Sequence, residues 1–298
     1  MKATYTKIGI GPLCMLFGKT RHAFYDKSWH EEERSNGERI VLEMVLAIRR
    51  EMPRIGTEKL YYMLYNTMQR HNIKMGRDAL HSLLQQQGLV LKQKRRYVTT
   101  TDSNHWMKKY PNLIKDIELM EAGQLWVSDI TYILVADDFN FLSLITDAYS
   151  KKIVGYCLYP TLESIGNIIA LRMALQQRSN LTERLIHHSD RGSQYCCKEY
   201  VDMLHKSGIE ISMAEKGNPY ENAIAERVNG ILKNEFELNR EFTDRQQALQ
   251  IIDNSIRVYN ELRPHMSCNY LTPDQAHLNT GKLEKKWKTM KKFNIQAL

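Results

Sequence analysis

The sequence predicts an α/β domain on a mixed five-stranded sheet, preceded by all-helical modules. Three observations carry this. Apolar residues recur at helical spacing through the first 97 residues. From Leu125 the pattern changes to β-branched and aromatic runs of strand length. Strands and helices then alternate as far as about residue 237.

In the helical part, Leu13, Leu16 and Phe17, then Gly18, then Ala23, Phe24 and Tyr25 outline two short helices around a glycine turn. This is a helix-turn-helix outline, which a plain helical hairpin would share. A longer helix is expected from about Glu38 to Met52, stopped by Pro53. Another covers residues 57–68 with Thr57 as its N-cap. A third, over 76–87, puts Ala79, Leu80, Leu83 and Leu84 on one face, with Gly88 as the C-cap glycine. The module ends in Lys92, Lys94, Arg95 and Arg96. A charge run is ordinarily solvated surface, but beside a candidate DNA-binding fold these four residues are candidate DNA contacts. The expected divisions are a helix-turn-helix-like segment (1–37), a helical DNA-binding module (38–97) and a polar linker (98–118).

After the linker, LWVSDITYILV (125–135), FNFLSLITDAYS (139–150) and KKIVGYCLYP (151–160) read as three strands joined by tight turns, an antiparallel meander. A helix follows over 162–177, then a strand over 184–190, a helix over 193–206, a strand over 209–213 and a helix over 219–237. The order βββαβαβα is that of an RNase H-like fold. It is expected to span 119–279, with a basic tail over 280–298.

The chain has 298 residues, 43% hydrophobic and 26% charged, with a formal net charge of +8. That is enough chain for more than one domain, and the basic balance favours a polyanionic partner. Residues 281–298 carry six Lys against one Glu, whereas 120–178 carry six acids against four bases. Five cysteines with no CxxC pair fit reduced thiols, and no apolar run approaches a membrane span. The expected location is cytoplasmic, associated with DNA and not with a membrane.

Three carboxylates stand out. Asp129 lies mid-strand, sharing a face with Val127, Thr131 and Ile133, where an unpaired carboxylate is costly. Asp190 ends a strand, where α/β folds build sites. Glu226 lies inside the last helix, on a face with Asn222, Asn229, Gly230 and Lys233, opposite the apolar Ala225, Val228, Ile231 and Leu232. Each alone has a plain reading: a satisfied structural Asp, a turn residue, a solvated helix face. Together they would converge in this fold and suit two divalent cations, Mg²⁺ or Mn²⁺, about 3.5–4 Å apart. Lys233 would point along the same face toward a phosphate. His188 and Asn222 are candidates to support the ligating carboxylates, although a His in such a place is more often a hydrogen-bonded structural residue. Asp147 reads as structural or supporting, and Cys196 and Cys197 as core or its margin.

The segments WVSDITYI (126–133), HSDRGSQY (188–195), NPYENAIAERVNGILKNE (218–235) and YNELRPHMSCNYLTPDQA (259–276) resemble the integrase-type core of insertion-sequence transposases. The resemblance is closest to the second-frame product of the insertion sequence three family. Asp190 and Glu226 are separated by 35 residues, the spacing of that group's Asp-Asp-Glu triad, and Lys233 matches its usual basic residue seven positions later. LCMLFGKTRHAFY (13–25) and PRIGTEKLYYML (53–64) resemble its helical modules. The resemblance implies that Asp129, Asp190 and Glu226 are the catalytic metal ligands. It also implies strand nicking at element ends, attack by the freed 3′-hydroxyls without a covalent enzyme intermediate, and a circular DNA intermediate. Double-stranded DNA, both element ends and target, is the implied partner. A homo-oligomer on DNA is expected, with an upstream-frame helix-turn-helix protein as a further partner. The His-His-Cys-Cys module of retroviral integrases is absent, so no zinc is expected. The competing readings are an RNase H-like nuclease that cuts without joining, and a catalytically silent DNA-binding regulator.

Overall fold

The computed structural model describes residues 9–91, 106–115, 117–178, 184–215 and 222–286. By their contacts they form two compact units: one of residues 1–50 and 55–92, the other of 51–54 and 93–298.

The first unit is helical. α1 (Ile10–Leu16) ends at Gly18, which takes a positive φ of 60°. α2 runs unbroken from Arg21 to Glu51. The break expected near residue 37 does not occur: Gly37 weakens a helix by only about 1 kcal/mol relative to Ala, and the helix continues through Ser35, Asn36 and Gly37 into the apolar-periodic stretch that buries Val41 and Val45. α3 (Thr57–Arg70) and α4 (Arg77–Gln86) are amphipathic. Leu60, Leu64 and Met68 of α3 and Leu80, Leu83 and Leu84 of α4 are buried at i, i+3, i+4 spacing. Thr57 is not the N-cap of α3. Gly56 holds that position with no side-chain cap, and Thr57 is already helical. Gly88, with φ 67°, closes α4 as expected, its neighbour Leu89 N–H returning to the Leu84 carbonyl.

The second unit holds a five-stranded sheet: β1 (Leu125–Val135), β2 (Asp138–Asp147), β3 (Ile153–Tyr159), β4 (Leu185–Ser189) and β5 (Ile209–Met213). Their order is β3-β2-β1-β4-β5, with β1–β2 and β2–β3 antiparallel and β1–β4 and β4–β5 parallel. This is the RNase H-like arrangement. The β1–β2 turn is the two-residue Ala136–Asp137, both at positive φ, which matches the twist of the strands.

One face of the sheet packs on α5 (Ser164–Gln177), α6 (Ser193–Cys196) and α7 (Lys198–Lys206), through Trp126, Ile145, Val154, Leu171, Tyr200 and Leu204 among others. The helix expected over 193–206 is two helices, separated by Cys197 in an extended conformation. Gly155 lets α5 lie close on β3, since a Cβ there would stand 2.1 Å from the Ala170 carbonyl oxygen. The other face buries Leu125, Val127 and Ile186 against Ala225 of α8 (Ala223–Glu235). Side-chain alternation along β1 decides which residue faces which layer, so Trp126 goes to one core and Val127 and Asp129 toward α8. α9 (Arg245–Glu261), a 3₁₀ turn at Met266–Cys268 and α10 (Pro273–His277) complete the unit. Among the described residues no helix is long and apolar enough to cross a membrane.

Candidate active site

Asp129 sits mid-β1, paired with Leu144 of β2 and half-buried. One of its oxygens, Oδ2, accepts from Asn229 Nδ2 of α8 at 2.7 Å, and Oδ1 accepts from the Ile130 N–H at 2.9 Å. Asp190 directly follows β4, the parallel neighbour of β1, and its Oδ1 accepts from the Gly192 N–H at 3.0 Å, holding the turn that leads to α6. Burial pushes the Asp129 carboxyl up to about 7. The Asp190 charge adds to this and that of Glu226 adds less, while the Asn229 and Ile130 hydrogen bonds pull it down. Three acids therefore share one electrostatic neighbourhood, and the direct side-chain partner of Asp129 is a neutral amide.

Glu226 lies in the first turn of α8 and is exposed. Among the described residues, no three His, Cys, Asp or Glu side chains are gathered into a group that could hold a metal ion. The carboxylates are brought to one neighbourhood without being drawn onto one point. The donor chemistry nonetheless fits a hard divalent cation: anionic carboxylate oxygens that raise one another's proton affinity by mutual repulsion. A further sign is the Asn229 amide: its Nδ2 donates to Asp129, while its buried Oδ1 has no hydrogen-bond partner among the described residues.

The polar face of α8 carries Glu226 outward and turns its two asparagines inward. Asn222 and Asn229 are each 6% exposed. Asn222 does not contact a carboxylate: its Nδ2 donates to the Ser128 carbonyl at 3.1 Å, tying the start of α8 to β1 beside Asp129. Lys233, two turns beyond Glu226, lays its Nζ 3.8 Å from the centre of the Tyr132 ring. Burial lowers its proton affinity, and the Asp129 carboxylate opposes that effect.

The remaining candidates are bonded to or packed on other groups of the fold, or lie outside the described residues. His188 is fully buried, and its Nδ1 shares a hydrogen bond of 2.8 Å with Ser212 Oγ of β5, a tie between strands. His187 Nε2 lies 2.7 Å from Ser128 Oγ and 2.8 Å from Tyr200 Oη, and burial depresses it to about 3. Asp147 is fully buried and structural, Cys196 is buried in the α6 core, and Cys197 is at its margin. Lys92, Lys94, Arg95 and Arg96 lie outside the described residues, as does most of the basic tail. Two contributors went unread in the sequence as site residues: Asn229, visible as a polar residue one turn after Glu226, and Tyr132, which alternates away from Asp129 in the bare strand pattern.

Two integrase core domain families match this unit, over residues 120–219 and 207–273. The 31 kDa protein of insertion element IS600 from Shigella sonnei is 36% identical over 265 residues, covering 88% of this chain and 96% of that protein. The chain belongs to the IS3-type insertion-sequence transposases. The transposase InsF for insertion sequence IS3A of Escherichia coli K12 is 29% identical over 234 residues, covering 78% of this chain and 80% of InsF. Among solved structures, the catalytic core domain of HTLV-2 integrase in complex with magnesium aligns with 54% of this chain and 99% of its own length, at 19% identity and a TM-score of 0.43. In this transposase core, the family match from 120 to 273 spans all three carboxylates, Lys233 and the α8–α9 segment.

Proposed function

We propose that this transposase cleaves and joins DNA at the ends of an insertion sequence, with Asp129, Asp190 and Glu226 as its catalytic carboxylates. The observation that carries the reading is the state of Asp129. It is a strand carboxylate crowded by two other acids, held by an amide and a backbone N–H, with no cationic side chain among the described residues bonded to it.

The three carboxylates would hold two divalent cations, Mg²⁺ or Mn²⁺. When bound, these supply Lewis acidity to the phosphoryl oxygens and charge neutralisation at the attacking and leaving oxygens. The chain's own residues do the rest. β1 and the β4 terminus hold two carboxylates on rigid elements, and α8 carries the third, exposed, where it closes on the site. Asn229 orients Asp129 without neutralising it. Lys233, stacked on Tyr132, meets a backbone phosphate of the bound strand. In cleavage, water oxygen bonds to phosphorus and the 3′-oxygen leaves as a hydroxyl. In joining, that 3′-hydroxyl attacks a second phosphodiester, so one P–O bond forms as another breaks and no redox partner is needed.

The helical unit would recognise the element ends, and Lys92, Lys94, Arg95 and Arg96 would grip phosphates without reading sequence. The protein would act as an oligomer on DNA, in the cytoplasm, with or without an upstream-frame partner.

A strand-transfer assay with labelled end duplexes tests the reading. Asp129→Asn, Asp190→Asn and Glu226→Gln should each cut cleavage and joining by about three orders of magnitude or more while leaving DNA binding intact. Near-parental activity in any of them removes that residue from the set. Cleavage without joining by the parent protein would favour a nuclease, and neither reaction a silent regulator. Replacing the four basic residues with Gln should weaken binding to every duplex and flatten the salt slope by about 0.9 for each phosphate no longer neutralised. An unchanged slope would show that these residues do not touch DNA.

A further inference from the structure

The two ends of α8 are held differently. At its start, Asn222 makes a single side-chain bond to β1. At its last residue, both carboxylate oxygens of Glu235 are taken by one guanidinium. Arg263 Nε donates to Oε2 at 2.9 Å and Nη2 donates to Oε1 at 2.8 Å. Arg263 is 1% exposed. Its Nη1 lies 2.8 Å from His265 Nε2 and donates to the Pro264 carbonyl at 3.4 Å.

Arg263 is itself anchored to the sheet without help from α8. Its backbone N–H closes the end of α9 on the Val258 carbonyl. One turn back, the Asn260 side chain pairs with Ile153 of the edge strand β3, receiving its N–H and donating to its carbonyl, both at 3.0 Å. Tyr259, whose ring lies 5.8 Å from the guanidinium carbon, donates its hydroxyl to the Lys151 carbonyl at 2.9 Å. The fork is thus a post referenced to the β2–β3 end of the sheet.

We propose that Arg263 and Glu235 are positioning residues that fix the rotation and axial height of α8, and so place Glu226, Asn229 and Lys233 against Asp129. The proposal rests on the reading of Glu226 and Lys233 given above. Helix geometry gives the lever. Nine residues, two and a half turns, separate Glu226 from Glu235, whereas Lys233 returns to within about 20° of the Glu226 line. The clamp therefore grips the side of the helix opposite the chemistry and leaves the reactive face free. Energetics point the same way. A buried ion pair returns little more than its desolvation costs, and an apolar pair of similar volume packs about as stably. What an apolar pair lacks is a two-bond planar register, which only the guanidinium fork supplies. A misplacement of about 1 Å at a reacting centre can cost about 100-fold in rate.

The test uses the full chain on an end duplex. The double variant Glu235→Leu with Arg263→Met removes both charges and keeps volume, and Arg263→Lys keeps the charge but loses the fork. Melting temperature, duplex affinity, single-turnover cleavage of pre-bound DNA and hydrogen exchange of α8 amides are measured for each, with Glu226→Gln alongside. We expect the double variant to melt within a few degrees of the parent and to bind DNA equally well. Its single-turnover rate should fall at least 10-fold and its α8 amides should exchange faster. Arg263→Lys should lose rate in the same direction, and it carries the test if the double variant does not fold. Parental rate and exchange in whichever variant folds overturns the proposal and leaves the pair as packing. Parental rate in Glu226→Gln overturns the carboxylate reading instead, whatever the clamp variants do.

Discussion

Asp129 and Asp147 lie on neighbouring strands of one sheet, Asp129 opposite Leu144 and Asp147 opposite Trp126, and they are treated in opposite ways. Asp147 is fully buried and well supplied. Gly123 N–H donates to one oxygen, and Ser150 N–H and Oγ donate to the other, each at 2.8 Å. Ser150 Oγ also lies 2.9 Å from His277 Nδ1, which ties α10 to the β2–β3 turn. Asp129 has two donors and two acidic neighbours. A buried carboxylate with enough donors, like Asp147, serves the fold. One left short of positive partners and crowded by like charges sits uneasily until something cationic arrives. Proximity to the core does not separate the two roles; the balance of donors and charges does.

Removing each carboxylate should separate them most sharply. Asp147→Ala strands the Gly123 and Ser150 donors and should cost about 3 kcal/mol or more, read as a lower midpoint in urea unfolding. A loss under about 1 kcal/mol would show that the network is not structural.

Asp129→Asn should instead stabilise the metal-free protein at pH 8 by about 1–3 kcal/mol, discounted because the group is only half-buried. The sign follows from linkage. The folded carboxyl titrates near 7, above its ordinary value of 3.8. The parent's relative stability is therefore fully present below about pH 4 and is lost as pH rises through 7. The gain from Asn should vanish near pH 4, and a gain independent of pH would remove the charge explanation.

His187 supplies the opposite dependence. Depressed to about 3 between Ser128 and Tyr200, it contributes stability that is present above its ordinary value of 6.5 and is lost as pH falls from there toward 3. A His187→Gln variant should show a shallower loss of melting temperature between pH 6 and 4 than the parent. Parallel curves would contradict this.

The smallest effect sought is cation binding without DNA. Millimolar Mn²⁺ should raise the parent's melting temperature by a few degrees and Asp129→Asn's by less, since only binding to the folded state stabilises. Equal shifts would place the ion elsewhere.

Much of this was legible from residue order alone, because the signals are local. The strands 125–135 and 209–213 were bounded to the residue by their apolar and β-branched runs, and the Gly88 cap by the φ that only glycine takes easily. The three carboxylates and Lys233 stood out by spacing and by resemblance. Local signals also misled where context overrides propensity. The helix expected to start near Glu38 begins at Arg21, and Thr57 did not cap α3. Tertiary structure alone decided which β1 groups Asn222 and Asn229 bond: the Ser128 carbonyl for Asn222 and the Asp129 carboxylate for Asn229. It alone decided that Tyr132 underlies Lys233, and that Arg263 reaches back 28 residues to close on Glu235. A sequence period records which side of an element is apolar. Which polar group lies across the gap depends on how two elements pack, and that is settled only when the whole core closes.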